Sequence, residues 1–173
     1  MSDSLRYVDG EYVPERRHNP FVGSLAGARV LSALQLPWFT IRPPSGFGVL
    51  TTIGRRTGKR RRKCIRAIHR ANQAYIVSIG GAQAAWIRNV RADPNVLLRI
   101  RGGSFTGVVR ELTETTEMQT AREAYCGTVN RFDYAECRVH RNGRPTRSKI
   151  EELHRAWFEG GIPLVIELEN EPH

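Results

Sequence analysis

The chain has 173 residues, 40% of them hydrophobic and 25% charged, which suits one globular domain that buries its core without disulfide staples. A formal net charge of +10 and a pI near 10.4 point to anionic partners, and no apolar run approaches the roughly 18 residues that a membrane span needs. Cys64, Cys126 and Cys137 are odd in number with no signal peptide ahead of them, which argues against a disulfide framework and predicts a reducing, cytoplasmic compartment.

Residues 1–20 are mostly polar; the Asp9-Gly10 pair within Tyr7 to Val13 reads equally as a two-residue hairpin or as part of a flexible arm. From Val22 to Leu36 the spacing of Leu25, Ala28, Leu31, Ala33 and Leu34 predicts a helix with one apolar face, closed by Pro37. Pro43 to Gly46 then forms a loop before an apolar, β-branched strand from Val49 to Ile53.

Gly54 and Gly58 bracket a tight reversal, and from Gly54 to Arg70 there are nine Lys and Arg and no acid. The rest of the chain therefore carries only about +1, so the basic character is a local anion site, with side chains and backbone N–H groups concentrated on a turn. Such a patch beside an apolar helix leaves peripheral contact with an anionic membrane surface open.

Cys64 to Arg70 and Ala74 to Ile79 read as a hairpin turning at Ala71 to Gln73. Gly80 and Gly81 end the second strand, and a short helix from Ala84 to Ala92 follows, with Trp86 and Val90 one turn apart and Asp93-Pro94 as its stop. Asn95 to Arg101 alternates, with Val96, Leu98 and Ile100 on one face, and turns at Gly102-Gly103 into a strand from Ser104 to Leu112. Thr116 and Gln119 suggest a capping box for a helix burying Met118, Ala121 and Tyr125.

Gly127 to Arg147 has no clear period and reads as an irregular excursion. Ser148 and Glu151 suggest a second capping box for a helix burying Ile150, Leu153, Trp157 and Phe158, ended by Gly160-Gly161. Pro163 to Glu169 closes the chain as a strand with Leu164, Ile166 and Leu168 inward and Glu167 and Glu169 outward. The expected organisation is an α+β domain over 21–173, its strands mostly antiparallel, with an irregular insertion at about 127–149.

Gly54 to Arg60 is not a nucleotide P-loop: its glycines are one residue too close, no Ser or Thr follows Lys59, and a strand rather than a helix comes next. Nucleic-acid binding would use the basic run, yet no aromatics interleave with it and no reading helix is identifiable. Cys137 and His140 with Cys126 lack a fourth metal ligand, so no metal is expected, and His69 and His154 have no partnered nucleophile at a hydrolase spacing. Gly80-Gly81 before Trp86 and Asn89 reads either as a plain strand-to-helix turn or as a place where backbone approaches a ligand.

In combination, LTTIGRRTGKRRR (50–62), YIVSIGGAQAAWIRNVRADP (75–94), a hairpin, a helix and a closing IPLVIELE (162–169) resemble the deazaflavin-dependent nitroreductase family. The resemblance implies a six-stranded, mostly antiparallel split β-barrel of the flavin-reductase or FMN-binding type with flanking helices. It also implies an F420-dependent oxidoreductase passing a hydride from reduced coenzyme F420, with FMN less favoured, to a hydrophobic conjugated acceptor such as a quinone, enone or nitroaromatic. Arg55, Arg56, Lys59 and Arg61, with Thr57 and Gly58, match the basic turn that holds the coenzyme's phosphate and polyglutamate tail. Ser78, Ile79, Gly80 and Gly81 match the strand end against the deazaflavin, and Trp86 and Asn89 match the W-x-x-N that follows. Asp133-Tyr134-Ala135 matches a substrate-pocket stretch and makes Tyr134 the expected proton donor.

Departures from the family pattern are Lys63-Cys64-Ile65 for Thr-Pro-Leu, Ile87-Arg88 for Tyr-His, Cys137 for a second Tyr, and a longer segment from Arg138 to Gly161. Two other readings stay open: a non-catalytic F420, flavin, haem or lipid carrier on the same barrel, and a basic nucleic-acid binder. The oligomeric state is also open, a homodimer included.

Overall fold

In a computed structural model of the protein, residues 36–169 are described, so the expected N-terminal hairpin or arm and most of the first helix lie outside the described residues. Residues 36–41 are helical and are labelled α1, so Pro37, expected to end a helix, itself lies in one. Proline's fixed φ is compatible with a helix. Seven strands follow: β1 Phe47–Ile53, β2 Arg60–Arg66, β3 Ile68–Arg70, β4 Gln73–Ser78, β5 Asn95–Ile100, β6 Gly103–Glu111 and β7 Ile162–Leu168. Between them lie a 3₁₀ turn at Gly81–Gln83 and helices α2 Ala85–Ala92, α3 Thr115–Gly127, α4 Arg131–His140 and α5 Arg147–Gly160.

All neighbouring strands are antiparallel, in the order β2-β1-β5-β6-β7-β4-β3. The expected single strand from Cys64 to Arg70 is divided at Ala67, whose N–H leaves the ladder and donates to the Gly46 carbonyl at 2.9 Å. Its first half pairs with β1 and its second with β4, so one bent strand supplies both outer edges of the sheet. Counted as one, the strands number six, and the sheet must curl until its edges meet.

The interior of that curl holds Leu50, Ile65, Ile76, Leu98, Ile100, Val109 and Ile166, with Ile87 and Val90 of α2 packed against them. The outer faces of β4 and β7 are buried as well: Tyr75, Val77 and Val165 pack against Ala121 and Tyr125 of α3 and Phe158 of α5. Burial on both faces explains why Ala74 to Ser78 and Leu164 to Ile166 are continuous rather than alternating. A smaller cluster joins Phe39 and the β1 residues Phe47 and Val49 to Phe132 of α4.

The region expected to be irregular contains α4, started by a reciprocal capping box in which Asn130 and Asp133 satisfy each other's backbone N–H groups. Asp133 is also an ion-pair partner of Arg66, and both are almost fully buried. Arg66 Nη2 donates to the carbonyls of Tyr125, at 3.2 Å, and Thr128, at 2.5 Å, while the guanidinium lies over the Tyr125 ring. One cation thus joins the end of α3, whose dipole favours it, to the start of α4, where the Asp133 carboxylate makes the contact. His154 Nε2 of α5 lies 3.5 Å from the same carboxylate, and burial pushes this imidazole below its ordinary range.

The two expected capping boxes are not formed. Helix α3 begins after Glu114 with no side-chain cap, and Gln119 donates instead to Glu123 at 3.3 Å. The cap of α5 is Thr146, two residues before Ser148, and its Oγ1 accepts from the Lys149 N–H at 3.3 Å. Both proposed caps read the S/T-x-x-E/Q pattern inside a helix whose true start lies upstream.

Two outcomes follow from this cluster. Asp133→Asn leaves a buried guanidinium facing a neutral amide and is expected to cost about 3–5 kcal/mol in urea unfolding. Burial pushes the Glu136 carboxyl, beside Arg66 and Asp133, up to about 7. Between about pH 4.5 and 7 the folded chain therefore keeps a proton that the unfolded chain has released, so stability falls as pH rises through that window. Glu136→Gln should flatten this dependence in thermal melts taken at pH 5 and pH 8.

Candidate functional site

Because every strand pairs antiparallel with its neighbours, β1, β6 and β4 run one way and β2, β5, β7 and β3 the other. The C-terminal ends of β1, at Ile53, and of β4, at Ser78, therefore lie at the same end of the barrel. The basic turn leaves from the first and the Gly80-Gly81 step from the second. Both loops therefore leave the sheet in the same direction, although about 25 residues separate them in sequence.

The turn itself is tightly hydrogen-bonded. Gly54 N–H donates to the Lys59 carbonyl at 2.9 Å, and Thr57 and Gly58 N–H groups donate to the Gly54 carbonyl at 3.0 and 2.8 Å. Thr57 Oγ1 accepts from the Lys59 N–H at 3.4 Å and from Arg61 Nη2 at 3.5 Å. Gly58 has φ +62°, the left-handed region in which glycine carries no penalty. Arg55, Arg56, Lys59, Arg60, Arg61 and Arg62 are all exposed. Lys63 and Cys64 are half-buried; burial lowers the ammonium's pKa and pushes the thiol up to about 11.

The nine-cation run is thus divided. Arg66, six strand residues from Arg60 and roughly 20 Å away, turns inward to Asp133, and Arg70 donates to Thr128 Oγ1 at 2.9 Å. Neither belongs to the anion site proper.

Asn89 of α2 is buried and reaches the turn: its Oδ1 accepts from the Arg55 N–H at 3.3 Å and its Nδ2 donates to Thr52 Oγ1 at 3.2 Å. Trp86, one turn earlier, is half-buried against the interior core. At the strand end, Ser78 Oγ donates to the Gly81 carbonyl at 2.9 Å, holding the chain as it turns into the 3₁₀ segment. Gly81 has φ +59°, and nothing lies within 4 Å of where its Cβ would be; Ile79 beside it is 48% exposed. An open glycine step beside an apolar side chain can receive a flat ring, and an acid-free group of cations can receive an anion.

Tyr134, the expected proton donor, is exposed on α4, whose first turn is held at Arg66 at the C-terminal end of β2. Sequence reasoning missed Thr52 and the Arg66–Asp133 pair; the partners lie 37 and 67 residues apart, and no local spacing signals them. A cavity of about 180 Å³ between β4, β7 and α3 holds none of the expected residues. Glu114 and Glu117 on its rim disfavour an anionic ligand.

The family model described as F420H(2)-dependent quinone reductase matches residues 42–142, which span the basic turn, the glycine step and α4. The chain belongs to this family. It is an F420-dependent oxidoreductase, and its cofactor is coenzyme F420. No curated protein matches the sequence. Among solved structures, a candidate 5-nitroimidazole antibiotic resistance protein from Bacteroides thetaiotaomicron shares 8% identity at a TM-score of 0.50, covering 79% of this chain and 80% of its own. At that identity the likeness is one of fold. An F420-H2 dependent reductase, FDR-A, is 21% identical at a TM-score of 0.45, over 72% of this chain and 95% of that one. A heme binding protein from Mycobacterium smegmatis is 13% identical at 0.49, over 73% and 47%.

The residues at this barrel end fit the coenzyme, which joins a flat deazaflavin to an anionic tail: space is open at Gly81 and the cations around Gly58 face solvent without an acid among them. Gly81→Ala tests the strand-end geometry. A Cβ meets no neighbour there, so the left-handed backbone alone should cost about 1–2 kcal/mol, measured by denaturant unfolding.

Proposed function

We propose that the protein is a reductase in which bound, reduced F420 supplies a hydride to a hydrophobic conjugated acceptor such as a quinone, an enone or a nitroaromatic. The observation that carries this reading is that α2, which follows the open Gly80-Gly81 step, reaches the acid-free basic turn through Asn89. Arg55, Arg56, Lys59 and Arg61 hold the phosphate and polyglutamate tail by charge-assisted contacts, and several exposed cations suit a flexible polyanion. Ser78, Ile79, Gly80 and Gly81 offer backbone and an apolar side chain to the ring, with Trp86 supporting the floor of α2 beside it. The chain's residues thereby bind, orient and shield the reacting centre from water.

Tyr134, exposed on α4, is the proton donor to the acceptor in this assignment. Ile79, an exposed apolar side chain beside the glycine step, supports a conjugated, uncharged ring as acceptor.

Arg55→Ala combined with Lys59→Ala is expected to weaken reduced F420 binding roughly ten- to a hundredfold, the scale of losing two charged contacts at an exposed site. The melting temperature should not change. Stopped-flow reoxidation of the bound coenzyme with menadione then checks turnover. Tight binding with no menadione-dependent reoxidation would mark a carrier, and salt-sensitive oligonucleotide binding in place of F420 binding would overturn the reading altogether.

A further inference from the structure

The basic turn has few backbone donors left to offer a ligand. The N–H groups of Gly54, Arg55, Thr57, Gly58 and Lys59 are all engaged within the turn or with Asn89. A phosphate cradle of the kind built from successive free N–H groups is therefore not available in this loop, and an anion there is met by side chains. Side chains on a loop reach one ligand together only if the loop has one conformation. What supplies that conformation from outside the turn is Asn89.

We propose that Asn89 is a positioning residue for the coenzyme site: it does not touch the ligand but fixes the basic turn against α2, so that its cations converge. Both of its amide atoms face inward, Oδ1 to the Arg55 N–H and Nδ2 to Thr52 Oγ1, and the side chain is 6% exposed. Thr52 is 1% exposed, so the bond between them is sheltered from water, and neither group has solvent as an alternative partner. Arg55 is the first residue of the turn after Gly54. Holding its N–H fixes the point at which the chain leaves β1, while the Gly54-to-Lys59 bond fixes the point at which it enters β2. Helix α2 is in turn locked by Ile87 and Val90, both buried in the interior core. The path from core to turn is therefore short and rigid: Ile87 and Val90 seat α2, α2 presents Asn89, and Asn89 holds Arg55. The inference rests on the reading of this turn as the coenzyme's anion site and extends it to a residue that makes no contact with the coenzyme.

The test compares wild type, Asn89→Ala, Thr52→Val, the double variant Asn89→Ala/Thr52→Val and the charge variant Arg55→Ala/Lys59→Ala, titrated with reduced F420 and assayed with menadione. Asn89→Ala and Thr52→Val should each raise the F420 Kd and KM, Asn89→Ala by roughly three- to tenfold, the scale of one or two net hydrogen bonds. Their kcat at saturating coenzyme should stay within about twofold of wild type, since bound coenzyme restores the ordered turn. The double variant should be no worse than Asn89→Ala, because both substitutions break one linked pair. In amide NMR spectra the Arg55 resonance should move in Asn89→Ala and recover on adding F420. An unchanged Kd in Asn89→Ala, alongside a weakened charge variant, would overturn the positioning role and leave the anion site standing. Unchanged affinity in the charge variant would overturn the site reading and the positioning role together. A fall in kcat equal to the rise in KM would place Asn89 in contact with the reacting complex and also overturn the proposal.

Discussion

A single residue, Ala67, separates the two outermost strands of the sheet. Two edges that are adjacent in sequence cannot lie apart in space, so the sheet has to curl until they meet. The alternation of side chains then assigns every strand an interior face and a helix-covered face. Gly46 accepts the Ala67 N–H that leaves the ladder at the bend, so this backbone donor is satisfied where the strand turns. The location of the candidate site follows from the same closure, because antiparallel order brings the ends of β1 and β4 to one end of the barrel.

Immediately before that bend sits Arg66, the most buried cation of the basic run. Its desolvation is offset by the Asp133 carboxylate, two helix-end carbonyls and the face of Tyr125. The pair does more than cancel charge. Asp133 is at once the ion-pair partner and the third residue of the α4 capping box, so the start of that helix exists where Arg66 places it. A segment rich in Arg, Asn and Gly is helical here because one strand residue supplies what its own sequence lacks. Glu136, one turn further on, shares the enclosure without a hydrogen bond to its Oε2, and its proton affinity rises accordingly.

The opposite end of β2 uses the same residue types for a different purpose. Arg60, Arg61 and Arg62 have no buried acid to meet and remain in solvent, where their charge is free to act on a ligand. Within the turn, hydrogen bonds run between backbone groups, Thr57 and Asn89, and the cations are left out of the internal network apart from the Arg61-to-Thr57 contact. Rigid backbone with uncommitted charges is the arrangement that an anion-binding loop requires. The glycine step at the end of β4 complements it with space rather than charge.

Several features were legible in the residues alone. The alternation of Val96, Leu98 and Ile100, the apolar β1, the reversal between Gly54 and Gly58, the short α2 with its Asp93-Pro94 stop, and the basic run all rest on local chemistry of a few neighbouring residues, which a sequence carries in full. Motif order was enough to indicate F420 chemistry on a split barrel. Other features depended on partners far along the chain. Only the fold decided that Cys64 to Arg70 would divide between two sheet edges, that Arg66 would turn inward to Asp133, and that Asn89 would face the turn. The same residue type is a solvent-facing charge at position 61 and a buried staple at position 66, because solvent and partner, rather than residue type, set the free energy of a charge.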